Sequence, residues 1–82
     1  YWGAYSISKV ALENMVQIYA AENTKTALKV NLIDPAAVRT KMRAAAFPGE
    51  DPLTLPHPDE ITDIFVKLAS EKIQETGKKF SV

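Results

Sequence analysis

A tyrosine and a lysine near the start of the sequence have the types and the spacing needed for proton transfer. Tyr5 and Lys9 are four residues apart in a stretch rich in Ala, Leu and Met, which favours an α-helix. On a helix, residues at this spacing lie on the same face, within reach of a shared ligand. A nearby ammonium favours the ionised form of a phenol, which can then exchange a proton with a substrate oxygen.

The turn at residues 34–40 is the second place where the sequence predicts chemistry. Residues 27–33 are aliphatic and β-branched, as in a buried strand, and Asp34 with Pro35 ends them abruptly. In open α/β sheets the ligand crevice lies at the carboxyl ends of the strands. A short helix is predicted at residues 41–46, and an irregular connection rich in proline follows it; we expect residues 40–57 to form a substrate loop.

The amino-acid composition limits the kinds of partner and the cellular compartment that we expect for this protein. The 82 residues carry 10 basic and 10 acidic side chains, a balance that gives no electrostatic reason to expect nucleic acid or an anionic membrane as a partner. No cysteine and no metal-ligand spacing occur, and the apolar runs are too short to span a membrane; we therefore expect a cytoplasmic protein without a metal. Because the sequence starts at Tyr1 rather than at a methionine, we expect an N-terminal portion to precede it.

The order of the predicted elements is that of an α/β fold. They are a long helix at residues 4–22, a strand at 27–33, a helix at 58–70 and a last strand at 78–82. Helix, short loop and strand in succession indicate parallel strands. The first helix is apolar over most of its surface, so we expect a sheet on one side and, on another, a neighbouring helix that a second subunit can supply.

Two segments together resemble one enzyme family. They read Ala-Tyr-Ser-x-Ser-Lys-x-Ala at residues 4–11 and Val-Asn-x-Ile-x-Pro-Ala-x-Val-x-Thr at residues 30–40. The first resembles the active-site helix of the short-chain dehydrogenases/reductases, and the second resembles that family's strand ending in a Pro-Gly-x-Val-x-Thr loop. A lone Tyr-x-x-x-Lys is common by chance, whereas both motifs in this order and context are specific.

The resemblance covers essentially all of the sequence but only the C-terminal portion of a family member. It implies the C-terminal part of a Rossmann-like, doubly wound parallel sheet, with residues 1–82 as one segment of a single NAD(P)-binding domain. The implied activity is hydride transfer between NAD or NADP and a small carbonyl or alcohol substrate. The implied assembly is a homodimer or homotetramer formed through the first helix.

The family's functional roles can be carried over to matching residues. Tyr5 would be the general acid/base that exchanges a proton with the substrate oxygen. Lys9 would hydrogen-bond the nicotinamide ribose and favour the ionised form of Tyr5, so that both side chains also contact the cofactor. The residues implied to line the nicotinamide end are Pro35, Ala36, Val38 and Thr40.

The sequence departs from the family in one visible position and lacks several expected parts. Ala36 stands where the family usually has glycine, so either this backbone does not need a positive φ or the loop is altered. The glycine-rich phosphate turn, the residue that selects NAD or NADP, and the catalytic serine lie upstream in the family, outside this sequence. The segment alone is therefore expected to be inactive.

Two other hypotheses remain open at this point. In one, the chain is a non-catalytic or truncated relative whose first helix is mainly an association surface. In the other, it is an unrelated small α/β binding module with its own closed core and Lys9 pointing away from Tyr5. Three further residues have competing interpretations. Thr40 caps the next helix, contacts cofactor, or does both; Trp2 flanks the site or wedges between helices; His57 caps a helix or lies on the surface.

Overall fold

The computed structural model describes all residues, Tyr1–Val82, and its longest element is helix α1, Gly3–Glu22. The helix is uninterrupted because no proline or interior glycine occurs in it. It ends at Asn23, whose side-chain amide donates a hydrogen bond of 2.9 Å to the Tyr19 carbonyl. This bond satisfies one of the carbonyls that a helix leaves without partners at its C-terminus.

Two short strands form a parallel sheet. Strand β1 is Leu32–Asp34 and strand β2 is Lys79–Ser81, with Ile33 opposite Phe80 at the centre of the register. β2 is one residue shorter at each end than the strand predicted at residues 78–82, because the regular ladder is only as long as β1. The parallel pairing predicted from the element order is present.

The strand predicted at residues 27–33 is wrong in extent. Regular pairing begins late because the neighbouring segment turns at Gly77, where φ is 70°. Before that point the two segments are joined largely by side chains instead of a ladder. The Val30 N–H donates to the Thr76 hydroxyl at 3.0 Å, and the Asn31 side chain bridges to two backbone groups of the other segment.

Four helical segments, all of them short, lie in the crossover that connects β1 to β2. Helix α2 is Lys41–Ala46, followed by 3-10 helices at Pro52–Thr54 and Pro58–Ile61. Thr40 caps α2, since its hydroxyl accepts a hydrogen bond of 3.1 Å from the Arg43 N–H. The short helix predicted at residues 41–46 is confirmed. The 3-10 helix Pro52–Thr54 adds a second helical piece to the segment predicted as a substrate loop at residues 40–57.

Residues 58–70 form two helical pieces instead of the single helix predicted. The 3-10 helix Pro58–Ile61 leads through Thr62 into helix α3, Asp63–Leu68. The Thr62 hydroxyl donates to the Asp59 carbonyl at 3.2 Å. This three-residue spacing matches the tighter 3-10 turn and separates it from the α-helix that follows.

His57 begins the 3-10 helix with a capping box. Its Nδ1 accepts a hydrogen bond of 3.2 Å from the Asp59 N–H, and its own N–H donates to Glu60 Oε2 at 2.7 Å. These reciprocal bonds satisfy donors that the first helical turn leaves unpaired. The capping interpretation of His57 is confirmed.

The C-terminal half of α1 rests on the turn that precedes β2. Ala20 is the one buried residue of the chain, 4% exposed, and a Cβ added at Gly77 would lie 3.4 Å from the Ala20 Cβ. A second contact joins Lys79 Nζ to Glu13 Oε1 at 3.0 Å. The hydrogen bond to Glu13 raises the pKa of Lys79. Together these contacts fix α1 relative to the sheet.

Most other apolar side chains are accessible. Ile7, Val10 and Ile18 are 72%, 64% and 51% exposed. All three lie roughly opposite Tyr5 on α1, since each residue turns the helix by about 100°. The chain has no closed core of its own. An independent binding module requires such a core, so the structure does not support that hypothesis. None of its helices combines the length and the apolar character needed to cross a bilayer.

Candidate functional site

The N-terminal end of α1 and the segment after β1 enclose an apolar cavity. It has a volume of about 660 Å³, and apolar residues form most of its wall. Its wall is formed by Trp2, Tyr5, Pro35, Ala36, Ala37, Val38, Thr40, Met42, Arg43, Ala46, Phe47, Pro58, Ile61 and Phe65. The two segments singled out by chemistry in the sequence therefore meet in one place.

Tyr5 and Lys9 lie side by side on α1. The Lys9 Nζ is 5.4 Å from the centroid of the Tyr5 ring, over its face, an attractive cation–π arrangement. Tyr5 is half exposed, at 50%, and its hydroxyl makes no hydrogen bond to the protein. Lys9 has no carboxylate partner and borders Tyr5 without being part of the cavity wall. A free phenol thus faces the cavity beside an unpaired cation.

The turn after β1 adopts the left-handed conformation at a non-glycine residue. Ala36 has φ of 57°, the one positive value outside glycine. The Asp34 carboxylate supports the turn, since its Oδ1 accepts a hydrogen bond of 2.9 Å from the Ala36 N–H. The first of the two alternatives for Ala36 is wrong, because the backbone adopts the positive φ that glycine favours although a methyl group stands in its place.

Two residues of the same turn present polar groups to the cavity. Val38 is half-buried and its backbone N–H donates to none of the protein's own acceptors. The Thr40 hydroxyl is occupied as acceptor in the cap of α2 and can still donate its own proton. The wall is therefore apolar with a few polar groups that fix orientation, the usual composition of a cofactor or substrate site.

Arg39 holds the substrate loop against the turn. Its side chain donates from Nε to the Pro52 carbonyl and from Nη2 to the Leu55 carbonyl, both at 3.0 Å. Its backbone N–H donates to the Pro56 carbonyl at 2.9 Å. Three bonds from one residue thus fix the far half of the loop.

Arg43 and Glu50 hold the near half of the loop through a two-bond ion pair. Arg43 Nε lies 2.8 Å from Glu50 Oε1, and Nη2 lies 2.9 Å from Oε2. The hydrogen bond from Arg43 lowers the pKa of Glu50, and the same bond raises the pKa of Arg43. The guanidinium carbon also lies 3.8 Å from the centroid of the Phe47 ring. The parallel geometry is the strong form of this ion pair.

Trp2 joins the loop to the tyrosine. Its ring stacks on Phe47 with centroids 6.0 Å apart and planes 18° from parallel. Its other contact is edge-to-face with Tyr5, at 5.6 Å and 79°. Of the two interpretations of Trp2, the structure supports the one that places it beside the site.

The structure brings most of the sequence-predicted site residues together and adds others. Tyr5 and the four turn residues Pro35, Ala36, Val38 and Thr40 share the cavity wall, while Lys9 stands behind Tyr5. Among the large apolar side chains of the loop, Met42 and Phe47 reach the cavity, and Leu53 and Leu55 do not. Sequence reasoning missed the roles of Arg39, Arg43 and Glu50.

The chain is similar to known oxidoreductases over nearly its whole length. A family profile described as enoyl-(acyl carrier protein) reductase matches residues 1–78. The chain is 44% identical over 80 residues to the uncharacterized oxidoreductase YciK of Escherichia coli strain K12, covering 96% of this chain and 31% of that protein.

Solved structures with the same arrangement have closely similar sequences. A short chain dehydrogenase from Salmonella enterica serovar Typhi CT18 superposes with a TM-score of 0.92 at 43% identity, covering 98% of this chain and 33% of that one. A second, from Escherichia coli CFT073 in complex with NADPH, has a TM-score of 0.90 at 43% identity with the same coverage. The predicted fold class, the C-terminal part of a Rossmann-like parallel sheet, is confirmed. The chain spans about a third of the length of these relatives.

Proposed function

Because the chain belongs to the short-chain dehydrogenase/reductase family, we propose that it is the C-terminal, substrate-facing portion of an NAD(P)-dependent oxidoreductase. The proposed reaction is hydride transfer between the nicotinamide and a carbonyl or alcohol. A structural relative in complex with NADPH makes NADPH the first cofactor to use in assays. On its own, without the family's upstream phosphate turn and serine, the chain is proposed to be inactive.

One observation carries this proposal. The Tyr5 hydroxyl, free of protein hydrogen bonds, shares an apolar cavity with the turn that follows β1. Tyr5 is proposed to give a proton to the carbonyl oxygen during reduction and to take one from the alcohol during oxidation. The bound nicotinamide supplies or accepts the hydride. Apolar walls exclude water, which strengthens the electrostatic effect of every group inside.

Lys9 is proposed to act on both the cofactor and Tyr5. Its ammonium has no carboxylate partner and lies over the Tyr5 ring, so it is available to donate hydrogen bonds to ribose hydroxyls. The same ammonium contacts the face of the Tyr5 ring and so helps to hold the phenol in place beside the cofactor.

The turn after β1 fits the nicotinamide end of the cofactor. The unpaired Val38 N–H is a donor for an amide oxygen, and the Thr40 hydroxyl can donate beside it. Pro35 and Ala36 supply apolar wall on the same turn. These four residues are proposed to hold the carboxamide and ring.

The proposal is tested by following the transferred hydrogen itself. The full-length protein containing this chain is incubated with NADPH deuterated at the reactive ring carbon and a panel of aldehydes and ketones. Mass spectrometry of the alcohol products is expected to show one deuterium on the former carbonyl carbon. Products without deuterium, or no product from any carbonyl under conditions where the protein binds NADPH, would contradict the proposed function.

The outer face of α1 is proposed to form the contact between subunits of a homodimer or homotetramer. Ile7, Val10 and Ile18 are exposed there, on the side of the helix away from the cavity. Burying such a surface is favourable by about 25 cal/mol per Å². Ile7→Glu is expected to dissociate the full-length protein in sedimentation experiments, and an unchanged mass would reject this face. If α1 serves association alone, Tyr5 can be replaced without loss of any activity.

A further inference from the structure

The cavity wall contains a single charged side chain, Arg43. A cation in such a place normally indicates a substrate with a carboxylate or phosphate, because guanidinium groups match both in geometry. No acidic side chain forms part of the wall, so a cationic substrate has no partner there. The charge preference of the cavity therefore depends on whether Arg43 is free to bind.

The charge of Arg43 is already paired. Its Nε and Nη2 donate to the two oxygens of Glu50, at 2.8 and 2.9 Å, which leaves Nη1 without a protein partner. Its flat face covers the Phe47 ring at 3.8 Å. An anionic substrate would have to displace Glu50 from a bidentate pair, or enter beside a carboxylate of its own sign.

The other cations near the cavity are also committed. Arg39 donates to the Pro52 and Leu55 carbonyls within the substrate loop. Lys9 lies outside the wall and is proposed to hold the ribose. Within this chain, Arg43 is the one cation in the cavity wall, and its charge is matched by Glu50.

We infer that the cavity selects carbonyl substrates whose remaining group is uncharged and apolar, and that Glu50 enforces this by neutralising Arg43. The inference rests on the proposed function, since it takes the cavity as the substrate site. The rings of Trp2 and Phe47 add apolar surface beside Tyr5, which suits an apolar group on the substrate.

A matched pair of unreactive probes tests the inference by binding alone. Methyl benzoate and benzoate share a ring and differ in charge. Calorimetric titration of each into the full-length protein loaded with NADPH is expected to give affinity for the ester at least about tenfold above that for the acid. Glu50→Gln keeps the size of the side chain and frees the guanidinium, so it is expected to raise benzoate affinity about tenfold and leave the ester unchanged.

Two variants control for indirect effects. In Arg43→Met combined with Glu50→Gln the gain in benzoate affinity is expected to disappear, because no cation remains. Glu60→Gln removes a carboxylate bonded to the His57 N–H outside the cavity, and the ratio of the two affinities is expected to stay at its wild-type value.

The outcomes separate this inference from the proposed function. Equal affinity for the two probes in the wild type, or a ratio unmoved by Glu50→Gln, overturns the selection by charge whatever the protein catalyses. A protein that shows the expected ratio but transfers no deuterium to any carbonyl keeps the charge selection and overturns the oxidoreductase reaction.

Discussion

Tyr5 and Lys9 keep their relative position through one helix, whereas the substrate loop keeps its position through contacts between distant residues. The helical pair needs only the backbone of α1, which is continuous from Gly3 to Glu22. The loop depends on Arg39, on the ion pair of Arg43 with Glu50, and on the stacking of Phe47 against Trp2. Tyr5 and the loop line the same cavity, with Lys9 behind Tyr5, but the two regions are held by different kinds of interaction.

The two regions are suited to different tasks, the helix to the reaction step and the loop to the binding of substrate. A side chain on a long helix has few alternative positions, which suits a group that must meet a reacting atom within a few tenths of an ångström. A loop held by partly exposed polar contacts opens at lower cost, which suits the admission and release of substrate. Changes to the helical pair should therefore act on the reaction step, and changes to the loop on binding.

The largest effect is expected from Tyr5→Phe, which removes the hydroxyl proposed to transfer the proton and keeps the ring. Activity of the full-length protein is expected to fall by about 100- to 10,000-fold, the usual contribution of a general acid or base. Steady-state oxidation of NADPH measures this fall.

Tyr19→Phe is the matched control, because Tyr19 lies on the same helix and is also 50% exposed. It lies outside the cavity and is expected to leave the rate unchanged. Equal rates for the two variants would remove Tyr5 from the reaction and leave α1 as an association surface.

A smaller loss is expected from Lys9→Met, which keeps the length of the side chain without its charge. Loss of a charge-assisted hydrogen bond to ribose corresponds to about 10- to 100-fold in kcat/KM. Cofactor affinity, measured by titration of NADPH, is expected to fall together with the rate. Lys25→Met, in the loop after α1, is the control; if it weakens NADPH binding as much, the ribose contact does not belong to Lys9.

The loop is expected to respond to acid. Because Arg43 lowers the pKa of Glu50 in the folded chain, the pair is fully formed above the ordinary carboxylate range and is lost as pH falls through the lowered value. An ion pair that is still partly exposed to water contributes little, so only a few-fold loss of protection is expected. Hydrogen exchange of residues 40–57, corrected for intrinsic rates, measures it.

Glu50→Gln separates the ion pair from general acid effects. This variant is expected to exchange faster in the loop already at neutral pH and to gain nothing more on acidification, while α1 exchanges as in the wild type. Acid loosening of α1 and the loop together would show that the two regions are not independent.

The smallest effect is expected at Ala36. Relief of the left-handed conformation by Ala36→Gly is worth about 1 kcal/mol and is largely offset by the entropy of glycine, about 0.5 to 1 kcal/mol. The midpoint temperature of thermal unfolding of the full-length protein should stay level or rise slightly in Ala36→Gly. Ala37→Gly, at a residue without a positive φ, should only lower it. A clear loss at Ala36→Gly would mean that the methyl group itself packs in the turn.

The parts of the site that the sequence predicted are those fixed by local geometry. Tyr5 and Lys9 are neighbours because four residues make about one helical turn. The turn from Pro35 to Thr40 was found because a strand end and a family motif coincide there. The capping role of His57 also follows from its neighbours along the chain.

The parts that were missed depend on the path of the chain in space. Nothing in the spacing of Arg43 and Glu50 indicates a bidentate pair, because the loop between them has no regular period. The predicted strand was too long for a similar reason, since pairing is limited by the partner's turn at Gly77 and not by the β-propensity of residues 27–33. The sequence left open whether Ala36 needs a positive φ, and the backbone decided it.

The contact between Ala20 and Gly77 holds α1 near its C-terminal end, so a small tilt there moves the other end of the helix. The 15 residues from Ala20 back to Tyr5 span about 22 Å at the rise of a helix, so a tilt of about 3° at the anchored end moves the phenol by about 1 Å. A displacement of that size is enough to cost about 100-fold in rate. The position of the Tyr5 hydroxyl is therefore set in part at the opposite end of the helix, where Ala20 packs beside the turn at Gly77.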